Sequence, residues 1–579
     1  MGRGVPQAVL RPVGPPRVQS RWRDPFALTV GAVAVLLAFL ALYPTAMLFY
    51  GSFTTAPLGQ GGELTLANYV TAYSDPETYR LLVDSFVFAA GSSVLSLALA
   101  LVLAWITVRT NAPGRLIFEL TAIVPNIFPP VLIAIAWTLL ASPTVGLLNA
   151  LLKSAFGLEQ GVFDIYSMTG LVFVEGLILT PLAFLIISAA LRGMDPALEE
   201  SARMLGSSEL RIMRTISFPL VRPAILAAGM LNFVRALESF DTPAIIALPA
   251  RIEVFTTKIY REALAAYPPN YNLAATYGVS LLAIALVFVY LYRRYTSRVE
   301  AFATVTGKGY RPHLIDLGRW KGMASAVALA ILAVMVLLPA LMLFLISILP
   351  YYHVPTMETI QLATLKHYAY IFVNERVYRA LGNSVFLAVG GATVAMLLAA
   401  LTGYITVKTK VRGRGLLEAL TFLPWAFPST ALAIGLLWGY VNVPLPIYAT
   451  IWILMIAYVT RFLPYGLRAV TSTIVQIHQE LEEASRVCGG GFLITMRRII
   501  FPLMRPGLVA GWILLATIFM REFSLSLFLY TPSSEPVGPL LYFLWLDGLT
   551  GPLGALGMLV TAVSAVLVVA ARRHLRFGA

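Results

Sequence analysis

A charged segment occurs twice in this chain at a fixed distance. Glu199-Glu200-Ser201-Ala202-Arg203-Met204-Leu205-Gly206 runs on to Ile216-Ser217-Phe218-Pro219-Leu220, and Glu482-Glu483-Ala484-Ser485-Arg486-Val487-Cys488-Gly489 runs on to Ile499-Ile500-Phe501-Pro502-Leu503. Arg222-Pro223 and Arg505-Pro506 follow at the same spacing, so 283 residues separate every matched pair. Any fold for this chain must be built from two like halves, each with one charged surface segment.

The likeness extends upstream. Asp84-Ser85 matches Asn383-Ser384, and Ile106-Thr107-Val108-Arg109-Thr110 matches Ile405-Thr406-Val407-Lys408-Thr409. Gly114-Arg115, Glu119, Pro125 and Phe128-Pro129 match Gly413-Arg414, Glu418, Pro424 and Phe427-Pro428. The separation there is 299; by Pro181 and Pro464 it has fallen to 283, which places 16 extra residues of the first half in the loop around 141–168.

The medium that holds these halves follows from composition. Hydrophobic residues make up 59% of the chain and charged residues 12%, with a mean hydropathy of +0.80. A soluble domain carries roughly a quarter charged residues, so this is an all-α integral membrane protein. A spanning helix needs about 20 apolar residues. Twelve such stretches lie near 26–50, 83–108, 116–140, 168–191, 222–246, 273–293, 323–348, 382–407, 416–440, 447–468, 505–530 and 553–571. The first is too long for the apolar part of a signal peptide and is expected to be a span. Six spans per half is an even number, so the two repeats run parallel, about an axis along the membrane normal.

Lys and Arg fall in alternate loops, from the tail arginines through Arg109, Arg203, Arg319, Lys408 and Arg498 to Arg576, while Glu63, Asp75, Glu77, Glu159 and Asp164 fall on the other side. This bias predicts cytoplasmic N- and C-termini and puts both charged segments in the cytoplasm. The net charge of +14 is thereby topogenic, and a nucleic-acid partner is excluded. The expected organisation is a disordered basic tail (1–25), a first transmembrane domain (26–293), a cytoplasmic linker (294–321) and a second transmembrane domain (322–579). With one cysteine, Cys488, neither an internal disulfide nor a paired-cysteine metal site can form.

Each charged segment reads as a short amphipathic helix. Asp195-Pro196 supplies a cap and a first-turn proline, Glu199 and Glu200 favour the positive end of the helix dipole, and Gly206 ends the helix or admits another backbone.

The pattern Glu-small-small-x3-Gly-x9-Ile-x-Leu-Pro resembles the signature loop of permease subunits of binding-protein-dependent ABC importers. It is met by Glu200, Ser201, Ala202, Gly206, Ile216, Phe218 and Pro219, and again by Glu483, Ala484, Ser485, Gly489, Ile499, Phe501 and Pro502. Serines replace an alanine in each copy, and Phe218 and Phe501 stand where leucine is usual. The resemblance implies a coupling helix that docks on an ATPase subunit. Glu199, Glu200, Ala202, Gly206, Pro219, Glu482, Glu483, Ala484, Gly489 and Pro502 are the residues it implicates. It also implies two copies of a cytoplasmic ABC ATPase and an extracytoplasmic solute-binding protein as partners, with the permease in the inner membrane. The stretch Ala236-Leu237-Glu238-Ser239-Phe240-Asp241-Thr242-Pro243, with Ile252-Glu253-Val254-Phe255-Thr256-Thr257-Lys258, is similar to the fused two-half permeases of the ferric-iron and thiamine type, most of all the iron branch. Thiamine, polyamine and phosphonate permeases share the architecture.

No Gly-x4-Gly-Lys-Ser/Thr phosphate loop is present, so energy must come from a separate subunit. Neither a cofactor nor a resident metal is expected. Ionisable residues within spans cost roughly 2.5–3.5 kcal/mol each and point to function. Here they are Glu175, Arg235, Glu238, Asp241, Arg461, Arg521 and Glu522. Arg235 and Glu238, three apart, are placed to pair with each other. Glu238, Asp241 and Glu522 offer hard oxygen ligands to a ferric or other cationic solute, and Glu175 has no evident partner. The five histidines, His313, His353, His367, His478 and His574, read as solvated. Two other classes remain open: an ion-coupled secondary transporter, which needs no paired coupling loops, and a membrane-embedded enzyme, which wants larger external loops.

Overall fold

The computed structural model describes residues 25–300, 314–353, 359 and 361–576. The expected tail up to Arg23 and Asp24, and linker residues 301–313 with His313, lie outside them.

Nine helices of the first half recur in the second. They are α1 (Pro25–Ser52), α2 (Pro76–Arg109), α3 (Arg115–Ile127), α4 (Pro130–Ala141), α5 (Met168–Arg192), α6 (Pro196–Met204), α7 (Glu209–Glu238), α8 (Asp241–Ile246) and α9 (Tyr271–Tyr295). Their counterparts are α10 (Gly318–Ile348), α11 (Glu375–Lys408), α12 (Arg414–Ala426), α13 (Ser429–Tyr440), α14 (Ile451–Ile474), α15 (Gln479–Val487), α16 (Met496–Met520), α17 (Ser524–Leu529) and α18 (Thr550–Ala570). Among the described residues no β-strand forms, only isolated bridges, because a chain in lipid must satisfy its backbone within helices. The extra length of the first half lies between α4 and α5, where it folds into a further short helix, Leu147–Phe156.

Among the described residues, ten helices are long and apolar enough to cross a membrane. The other two expected spans, 116–140 and 416–440, are not straight. Helices α3 and α4 meet at 100°, and α12 and α13 at 107°. Proline explains both bends. Pro125, Pro129 and Pro130 in the first, and Pro424 and Pro428 in the second, donate no amide hydrogen and disfavour helical backbone before them. The expected spans 222–246 and 505–530 are corrected as well: α7 stops at Glu238 and α16 at Met520, and the short helices α8 and α17 follow as separate pieces.

The first helix of each half leans on the bent pair of the other. Tyr43 of α1 donates to Gly439 O of α13 at 2.5 Å, and the Pro44 backbone carbonyl packs closely against Gly435. On the other side α10 packs on α4, and Tyr352 just beyond α10 reaches Leu139 O at 2.7 Å. His367 departs from expectation: it is buried, with Nε2 2.9 Å from Leu349 O.

Candidate functional site

Two regions carry the functional side chains. The first is the pair of surface helices α6 and α15. Asp195 caps α6 by accepting from Ala197 N at 2.9 Å. The C-terminal end closes on glycine: Gly206 has φ +80°, with Gly206 N bonded to Arg203 O at 2.9 Å and Ser207 N to Ala202 O at 3.0 Å. Gly489 repeats this with φ +79° and Gly490 N on Ser485 O at 2.8 Å. This left-handed closure satisfies the last carbonyls and needs glycine. Among the described residues, nothing beyond the flanking neighbours lies within 4 Å of a Cβ at either glycine. The tips before them are apolar and open, with Met204 at 89%, Leu205 at 86% and Val487 at 88% exposure, beside exposed Cys488.

The paired acids part company here. Glu200 and Glu483 are exposed, as are Ala484, Pro219 and Pro502, and Ala202 is half-buried. Glu199 and Glu482 are buried and turn inward. Glu199 pairs with fully buried Arg109 at the end of α2 and accepts from Ser217 Oγ at 2.6 Å. Glu482 lies 3.6 Å from Lys408 Nζ at the end of α11 and accepts from Tyr404 OH at 3.2 Å. Arg109 and Lys408 are the matched basic pair of the repeat, legible in the sequence as a duplicate but read there only as topogenic charge. Arg203 binds Glu209 through Nε at 2.5 Å, and that hydrogen bond raises the guanidinium pKa.

The second region lies between the halves. Phe240 and Phe523, equivalent under the repeat, stack at 5.7 Å with planes 10° apart. The next equivalents also meet: Ser524 Oγ donates to Asp241 Oδ2 at 3.0 Å. Like residues can touch this way only beside the axis relating the halves, so the pseudo-twofold passes here.

Around this axis the charges form clamps. Arg461 of α14 binds Glu238 at 2.8 Å and donates to Pro424 O at 3.1 Å and to Trp425 O at the α12–α13 bend. Arg521 donates to Phe128 O at 3.1 Å and to Asn126 O, the carbonyls freed by the α3–α4 bend. A guanidinium thus satisfies each break. The expected Arg235–Glu238 pair is not formed. Glu238 belongs to Arg461, and Arg235 keeps solvent-accessible surface and reaches Tyr465 OH at 3.3 Å. Glu522 folds back to accept from Leu525 N at 2.9 Å. Glu175 is buried beside Thr242, Asp241, Ser239 and Arg235, with Oε2 accepting no hydrogen bond. Glu238, Asp241 and Glu522 therefore do not form a shared ligand set, and no three His, Cys, Asp or Glu among the described residues converge as a metal site. Sequence reasoning missed Tyr465, Ser524 and the two phenylalanines; the separation of 283 marks Phe240 and Phe523 as a matched pair.

Comparison with known proteins adds to this geometry. The family described as binding-protein-dependent transport system inner membrane component matches residues 93–301 and 391–576. The ferric transport system permease protein FbpB of Actinobacillus pleuropneumoniae is 28% identical over 85% of this chain and 69% of its own length. A putative ferric transport system permease protein FbpB 1 of Haemophilus influenzae is 27% identical over 84% of this chain and 75% of its own. The spermidine/putrescine transport system permease protein PotC of Escherichia coli K12 is 27% identical over 36% of this chain and 78% of its own.

Proposed function

Because the chain belongs to the family of binding-protein-dependent transport system inner membrane components, it is a multi-pass ABC importer permease of the fused two-half type, and we propose that its solute is ferric iron. The observation that carries iron is the pair of relatives matching 85% and 84% of this chain, both named ferric transport permeases. The polyamine permease matches only 36% of the chain, which leaves polyamine as the weaker reading.

Two ATPase subunits dock beneath α6 and α15, with Met204-Leu205-Gly206 and Val487-Cys488-Gly489 entering their clefts. Support comes from the two equivalent, open apolar tips: exposed apolar surface beside charge is the mark of a contact site. Glu200 and Glu483 face that contact, with Ala202, Ala484, Pro219 and Pro502 framing it. The termini and both loops are cytoplasmic, in line with the Lys and Arg bias. A solute-binding protein delivers the cargo to the opposite face, and residues 26–293 and 322–579 act as the two permease domains. Closure of the ATPase pair on ATP draws the two loops together and opens the clamps around Phe240 and Phe523. Glu175, Arg235, Glu238, Asp241, Arg461, Arg521 and Glu522 line the path.

The test is ATP-dependent uptake into proteoliposomes holding the chain, its ATPase and its binding protein, loaded with ferric iron, thiamine or spermidine. Uptake of iron alone supports the proposal. Uptake of another load without iron contradicts it.

A further inference from the structure

The Asp84-Ser85 and Asn383-Ser384 match and the Arg109 and Lys408 match lie on the same two helices, α2 and α11. Ser85 precedes Arg109, and Ser384 precedes Lys408, by 24 residues, about 36 Å at the helical rise, against a hydrocarbon core of about 30 Å.

At one end the helix holds the surface loop helix. Arg109 pairs with Glu199 of α6, and Lys408 with Glu482 of α15. Neither acid belongs to the signature pattern, which begins one residue later. Toward the other end the helix holds a short helix on the opposite face. Ser85 Oγ accepts from Phe255 N at 3.0 Å, at the start of helix Phe255–Tyr260. Ser384 Oγ accepts from Val537 N at 2.8 Å, at the start of helix Val537–Leu546. The second half adds Asn383 Nδ2 on Glu535 O at 3.0 Å and a two-point Arg376–Glu535 pair at 2.8 Å. Arg109, Lys408, Ser85 and Ser384 are repeat-matched, as are Glu199 and Glu482, and all of these but half-buried Lys408 are buried. Two contacts held about 36 Å apart along one continuous helix make a strut.

We propose that α2 and α11 are struts that carry displacement between the loop helices and the short helices of the opposite face, with Arg109, Lys408, Ser85 and Ser384 as their positioning residues. This rests on the importer reading above. Each strut transmits the arrival of loaded binding protein to the ATPase contact, and ATP-driven movement back.

The experiment uses the full chain with its ATPase in proteoliposomes and compares basal ATP hydrolysis with hydrolysis in the presence of loaded binding protein. Lys408→Met lowers the stimulated-to-basal ratio at least about fivefold, the lower end of allosteric coupling, while basal hydrolysis persists. Lys408→Arg keeps the ratio. Ser384→Ala, at the far contact on the same helix, lowers the ratio too, and the double variant loses no more than the worse single one. An unchanged ratio in Lys408→Met, or an equal fall of basal and stimulated rates, overturns the strut. If Lys408→Met yields no complex, Ser384→Ala decides alone by the same outcomes. If the wild-type chain captures no ATPase, the importer reading fails. The strut is then decided by hydrogen exchange in the chain alone. Faster exchange in Gln479–Val487 with Lys408→Met supports it, and unchanged exchange overturns it.

Discussion

Glu238 and Arg521 occupy equivalent positions in the two halves and carry opposite charge. The structure resolves this by supplying Arg461, which neutralises Glu238 and fills the α12–α13 bend, while Arg521 fills the α3–α4 bend directly. Arg461→Met leaves Glu238 buried without a counter-charge, at about 3–5 kcal/mol. The double variant Glu238→Gln/Arg461→Met recovers most of that loss, measured by thermal unfolding in detergent. Gly206→Ala behaves differently. Its left-handed backbone costs about 1–2 kcal/mol, yet the space around it is empty, so the chain folds with a small drop in melting temperature. ATPase capture falls by a larger factor. These charges were legible in the sequence as functional candidates, but their partners were not. Arg235 and Glu238 are near neighbours in sequence, whereas Arg461 lies 223 residues from Glu238, and only the packing of the halves brings it there.

The bent pairs show how an element can mislead. Residues 116–140 are apolar enough for a straight span, and the prolines at 125, 129 and 130 are tolerated in membrane helices when neighbours re-satisfy the backbone. Here the re-satisfying group is a side chain from the other half, Arg521, which no local window contains. Arg521→Ala removes the donor to Asn126 and Phe128 carbonyls, and hydrogen exchange should rise at the α3–α4 junction while α5 stays protected. The exchange of first helices is another long-range feature. A Cβ at Gly435 would meet the Pro44 carbonyl of α1, so Gly435→Ala should cost about 1–3 kcal/mol through overpacking, read as a lower melting temperature. The first loop helix was readable because its ends are set locally: Asp195, Pro196 and Gly206 specify cap, first turn and stop.

At the scale of the molecule the repeat carries the account. Its two separations, 299 and 283, locate the insertion between α4 and α5, the matched ion pairs and the axis between Phe240 and Phe523. What the repeat could not tell is which of two adjacent acids faces outward. Glu199 and Glu200 look alike in sequence, and burial against Arg109 separates them. The proposed docking of one ATPase on each loop sets a stoichiometry, and native mass spectrometry of the chain co-expressed with its ATPase measures it. The account predicts one chain bound to two ATPase subunits, reduced to one by Gly489→Arg. A wild-type complex holding a single ATPase, or solute uptake by the chain with none, would contradict it.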